Sequence, residues 1–160
     1  MAEDNDQAGA DSTQPEFDLL RVYLKDASFE TPNSPAIFTE EWTPDIDLQL
    51  SSNVNSMEEN LFEVVVTVTV TAKLGEKTGF LAEVHQAGLF ALKGFDQPQL
   101  GSMLGGHCPN VLYPYAREAI SNLVTKGGFP PVLLAPINFN ALYAKRMADA
   151  ANAGKAPEQA

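Results

Sequence analysis

The alternation of apolar and polar positions divides the chain into a β-rich first part and a helical second part. Phe17 to Glu30 alternates, but its phase changes along the way. Leu20, Val22 and Leu24 share one side, whereas Ala27 and Phe29 fall on the other. A switch of this kind predicts a bulge near Lys25-Asp26, because one inserted residue turns over every side chain after it. Thr31 to Thr43 contains Pro32, Asn33 and Pro35 and reads as a long crossover loop, with two large aromatics on it, Phe38 and Trp42. Asp45 to Ser51 alternates cleanly, with Ile46, Leu48 and Leu50 inward and Asp45, Asp47 and Gln49 outward. Asn53 to Asn60 reads as a polar connection. The strongest strand is Phe62 to Ala72. Phe62, Val64, Val66, Val68, Val70 and Ala72 form one face, and Glu63, Thr67, Thr69 and Thr71 the other. Gly75-Glu76 mark a turn, and Thr78 to Leu92 is its partner strand. Strands in sequence without helices between them predict an antiparallel sheet.

Helical spacing takes over after this. Gln97 to Gly105 predicts a short helix. A longer one follows, with Asn110 as cap, Pro114 in or near its first turn, and Leu112, Ala116, Ala119, Ile120 and Leu123 on one face. Gly127-Gly128 supply the stop, and Pro130-Pro131 forbid continuation. Val132 to Leu134 is a short extended piece. Pro136 and the Asn138/Asn140 pair then introduce a last helix.

Composition narrows the possibilities. The 160 residues suit one domain with a real core, and 44% hydrophobic content is ordinary. The net charge of −11 is not ordinary. It argues against nucleic acid and anionic lipid as partners and favours a basic protein surface. A single cysteine, Cys108, permits no internal disulfide. The N-terminal stretch has no positive, apolar pattern of a signal peptide, and no apolar run reaches the length needed to span a membrane. The expectation is a cytoplasmic protein. It would have an acidic disordered leader at 1–16, one domain at 17–149 and a flexible tail at 150–160.

No catalytic constellation stands out. His107 and Cys108 are adjacent, which is poor spacing for two ligands of one metal, and no paired-cysteine or zinc-helix motif accompanies them. Cys108 reads as a small buried residue, and His85 as a strand residue beside Glu83. No enzyme activity, cofactor or metal is expected. Binding is better supported. Asp26, Glu30 and Glu83 are strand carboxylates, which are either a solvated face or an acidic patch for a basic partner. Phe38 and Trp42, with Phe17 and Phe29, are either core or the lining of a groove for extended apolar segments.

The run from Gly105 to Tyr143, above all CPN-V-L-Y-PYARE-AI and GGFPPVLLAPINF, closely resembles the SecB family of bacterial protein-export chaperones. So do VYLKDASFETPNSP, EVVVTVTVTA and FLAEVHQAGLF upstream. The resemblance implies an α+β fold, a four-stranded antiparallel sheet with helices packed on one side, assembled as a homotetramer, a dimer of dimers. It implies an ATP-independent holdase that binds unfolded secretory precursors and delivers them to the SecA motor ATPase. By position, Asp26, Glu30, Leu81 and Glu83 resemble the SecA-docking patch. Ala82, Val84 and Gln86 resemble the subunit-assembly region, with Ala82 where some members carry Cys. Phe38, Trp42, Ile46, Leu48, Leu142 and Tyr143 correspond in region to the client groove. Asn140 stands where members often have Asp. The alternative is an acidic homo-oligomeric scaffold that binds one folded partner through its sheet.

Overall fold

A computed structural model describes residues 14–154. The expected leader and tail lie mostly outside this range. Where they enter it the boundaries move: Glu16 already pairs with Lys93, and the last helix continues to Ala153.

Four strands, β1 (Glu16–Glu30), β2 (Asp45–Glu58), β3 (Leu61–Leu74) and β4 (Lys77–Lys93), form one antiparallel sheet in the order β1-β4-β3-β2. The segment from Thr31 onward crosses the sheet end from one edge strand to the other. It is tied down on the way by Thr31 Oγ1 donating to Gly79 O (3.0 Å) and Asn33 Nδ2 donating to Thr78 O (2.9 Å). It is not wholly irregular, because Ala36–Thr39 form a 3-10 turn that buries Ile37. The bulge expected near Lys25 is present between Leu24 and Asp26, and a second lies between Leu19 and Arg21. The polar connection expected at Asn53–Asn60 is instead strand as far as Glu58. Only Glu59-Asn60 turn, with Asn60 in the left-handed region at φ 62°, which Asn tolerates better than most residues. An edge strand wet on both faces needs no apolar alternation, so its polar sequence looked like a loop.

The even-numbered residues of β3 and β4 build the core. Val64, Val66, Val68, Val70 and Ala72, with Phe80, Ala82, Val84, Phe90 and Leu92, pack under Leu112, Ala116, Ile120 and Val124 of the long helix. The expected face is right in Leu112, Ala116 and Ile120. Ala119 and Leu123 are only half-buried, and Val124 takes the deeper place.

The helical region differs from the expectation at its start. A first helix, α1 (Gln97–Ser102), is capped by Asp96, whose Oδ1 accepts from Gln99 N (2.8 Å). It passes through a wide π-helical turn, Met103–His107, directly into α2 (Cys108–Lys126). Pro109 has no N–H for the normal bond one turn back, and the wider turn carries the helix past it. Asn110 therefore lies inside a continuous helical run and does not cap it. Its Oδ1 accepts from Phe139 N (2.9 Å) and so secures the next helix, α3 (Phe139–Ala153). Asn138 is the true cap of α3, accepting from Ala141 N (3.1 Å). Asn140 lies against Gly106 instead. The stop after α2 is as expected, with Gly128 left-handed at φ 89°. Gly127 itself is right-handed, and it is glycine for another reason: any Cβ there would collide with the Phe29 ring.

Candidate functional site

Among the described residues all helices lie on one side of the sheet and leave the other side open, and pairing decides which residues reach it. Residues directly opposite each other in a ladder share a face. On β1 and β4 the pairs Asp26/His85, Ser28/Glu83 and Glu30/Leu81 are successive rungs of the open face. Glu83, His85 and Leu81 are in turn opposite Thr69, Thr67 and Thr71 of β3. The four residues expected to dock a partner, Asp26, Glu30, Leu81 and Glu83, thus come together on adjacent strands. The bulge at Lys25 is what achieves this. Without it Asp26 and Glu30 would share the side of Leu24 and face the helices. Glu83 is oriented by Thr69 Oγ1, which donates to its Oε1 (2.9 Å), and by His85 Nε2 at 3.7 Å.

Further along the same face is a feature the sequence did not announce. Glu63 reads as one more polar residue on a threonine face, yet only 8% of its surface is exposed. Its Oε1 accepts from Lys25 Nζ (2.8 Å) and Asn55 Nδ2 (2.9 Å), and its Oε2 from the Tyr23 hydroxyl. These hydrogen bonds, from Lys25 first and Tyr23 next, hold its carboxyl down to about 2 against partial desolvation. Burial, then the hydrogen bond to Glu63, raises the Tyr23 hydroxyl to about 12. A carboxylate whose folded value is depressed contributes stability above its ordinary value of 4.5, and loses it as pH falls through about 2. Urea unfolding between about pH 5 and pH 3 should therefore show wild type losing on the order of 2 kcal/mol more than Glu63→Gln. Parallel curves would contradict the assignment.

The second uncovered surface lies on the helix side, where α2 does not reach β2. Ile46 and Leu48 are 44% and 38% exposed, in a line with half-buried Leu50. Leu50 and Leu142 line a shallow cleft of about 490 Å³ with Lys145, Arg146 and Asp149 of α3. The crossover segment lies toward the sheet end from which this strip begins. There Phe129 is the centre of an aromatic cluster, with ring centroids 4.8 Å from Trp42, 5.0 Å from Phe38 and 5.1 Å from Phe80.

The structure separates the expected groove residues. Phe38, Ile46, Leu48 and Leu142 present apolar surface to solvent. Trp42 is half-buried over Gly79. Tyr143 is turned away, its ring against Gly105, where a Cβ would collide with it. The expected assembly residues need a correction of place. Ala82 and Val84 are 0% exposed within the subunit's core. Gln86 is buried too and donates to Tyr23 O (3.0 Å). All are even positions of β4 and face the helices, so their side chains offer no surface to another subunit. Cys108 is buried, and desolvation raises its thiol to about 12. Among the described residues no helix is long and apolar enough to cross a membrane.

The site thus consists of an open acidic sheet face and an uncovered apolar strip on the opposite side. The family model described as preprotein translocase subunit SecB matches residues 10–150. The chain is 54% identical over 160 residues to the protein-export protein SecB of Nitrosococcus oceani, covering 98% of each. It is 52% identical over 147 residues to that of Methylococcus capsulatus, covering 92% of each. The chain belongs to the SecB family. Among solved structures, the fold is similar to a SecB-like chaperone of Mycobacterium tuberculosis in complex with an antitoxin peptide. That match has a TM-score of 0.63 at 18% identity and covers 76% of this chain and 91% of the other.

Proposed function

We propose that this chain is an ATP-independent holdase that keeps secretory precursors unfolded and hands them to SecA. Membership of the SecB family makes it a chaperone for preprotein export. The finer reading rests on one observation: two uncovered surfaces of opposite chemistry lie on opposite sides of one sheet. The apolar strip of Phe38, Ile46, Leu48 and Leu142 receives extended apolar segments, which unfolded chains expose and folded ones bury. The acidic rungs of Asp26, Glu30 and Glu83 around Leu81 receive a basic surface of SecA. A scaffold for one folded partner would have no use for the strip. Loss of precursor to the bound state lowers its free concentration and slows aggregation without any nucleotide.

The working form is a homotetramer in the cytoplasm, arranged as a dimer of dimers. What supports self-association is the outer edge of β1, which has no strand beside it among the described residues, and the apolar residues Leu20 and Leu24 on it, 54% and 51% exposed. Such an edge is normally covered. Ala82, Val84 and Gln86 act on assembly indirectly, by seating α2, whose far side carries exposed Tyr115 and Glu118.

The test is light scattering of an unfolding precursor without nucleotide. Wild type should suppress aggregation. Leu48→Asp should weaken holding about tenfold, because a leucine's burial is lost and a charge enters an apolar contact. Unchanged suppression by that variant would place the client strip elsewhere.

A further inference from the structure

Lys25 is the residue that ought to spoil the acidic face. It precedes Asp26 at the bulge, and its long stem is half exposed, with 48% of the side chain in solvent. A surface ammonium beside a carboxylate normally screens it. Here the ammonium is committed elsewhere, 2.8 Å from Glu63 Oε1 on β3, two strands away. The acceptor is built for that purpose. Tyr23 from β1 reaches across β4 to Oε2, passing Ala87, whose small side chain leaves room. Asn55 from β2 fixes Oε1 from the other side. Glu63 itself is too buried to meet a partner, so its charge is spent on Lys25.

We propose that Glu63 is a positioning residue for the docking face, holding the Lys25 ammonium off Asp26 so that Asp26, Glu30 and Glu83 meet a basic partner uncompensated. This inference rests on the docking reading above. It separates Glu63 from an ordinary strand clamp, because a clamp made by the Lys25–Glu63 pair would fail on removal of either residue, whereas here removal of Lys25 alone does not weaken docking.

The experiment is a cycle of SecA affinities for full-length Glu63→Gln, Lys25→Met and the double variant, with circular dichroism to confirm folding. Glu63→Gln should weaken binding about threefold, the scale of one surface ion pair. In the Lys25→Met background the same change should lose most of its effect. Lys25→Met alone should leave binding as tight as wild type or tighter, since Asp26 stays uncompensated. Weaker binding by Lys25→Met alone, as a broken strand clamp would give, would overturn the proposal. So would equal losses from Glu63→Gln in both backgrounds, as lost net charge would give. Glu63→Asp keeps the charge but is too short to hold Lys25. It should weaken binding in the same direction, and unchanged affinity would also overturn the proposal. Glu83→Lys and an oligolysine peptide run in parallel tell the two readings apart. If Glu83→Lys leaves SecA binding intact, the docking reading fails. The cycle measured with oligolysine then still decides whether Glu63 controls the field of this face.

Discussion

Glu83→Lys is expected to weaken SecA docking about tenfold or more, the cost of reversing a charge at the centre of a complementary interface. Glu83 occupies the middle of three open-face rungs, between Ser28 on β1 and Thr69 on β3, with Glu30 on the rung to one side and Asp26 on the other. A lysine there removes one of the attracting charges and adds a repelling one within reach of the others. It also loses the hydrogen bond from Thr69. The position is half-exposed and carries no core packing, so stability and precursor holding should be preserved. Calorimetric titration at two salt concentrations checks this. Wild-type affinity should fall with salt, and the variant's should fall less, because screening has less attraction left to remove.

The second large effect is on stability. Phe129→Ala should cost roughly 3–5 kcal/mol, the range for emptying a buried aromatic site. Phe129 is 5% exposed. Its ring touches the crossover segment through Phe38 and Trp42 and the sheet through Phe80. It also stands directly after the Gly127-Gly128 stop, so it anchors the strap that leads to α3. Denaturant unfolding followed by the fluorescence of Trp42, the sole tryptophan of the chain, reports both effects, since that ring is 4.8 Å from Phe129. Native fluorescence should shift as the packing opens, and the midpoint should fall. An unchanged midpoint would mean that the cluster is not the anchor.

What the sequence made legible follows from where side chains are forced to alternate. β3 and β4 are covered by α2 on one side, so Val64 to Ala72 and Phe80 to Leu92 carry an unmistakable period of two. The phase change before Asp26 was visible for the same reason, and it marked the bulge that the register shows between Leu24 and Asp26. β2 beyond Ser51 was not legible, because an edge strand with water on both sides is free to be polar. The start of α2 was misread because Asn110 and Pro114 resemble a cap and a first turn. The sequence alone does not reveal that a π-helical turn carries the helix past Pro109, or that Asn110 serves α3 through Phe139. Glu63 was hidden among threonines. The only hint was a carboxylate in the most apolar strand, and its partners Tyr23, Lys25 and Asn55 come from other strands. Tyr143 shows the limit of regional correspondence. It is next to Leu142 in the chain, but a helix sends neighbours in different directions, and this one packs inward.

If the chain works as proposed, the two faces of its sheet carry two separable tasks. The most direct test measures Glu83→Lys and Leu48→Asp side by side for suppression of precursor aggregation and for SecA affinity. A crossed result is expected: Glu83→Lys holds precursors but docks poorly, and Leu48→Asp docks normally but holds poorly. Loss of aggregation suppression by Glu83→Lys with normal SecA binding would contradict it.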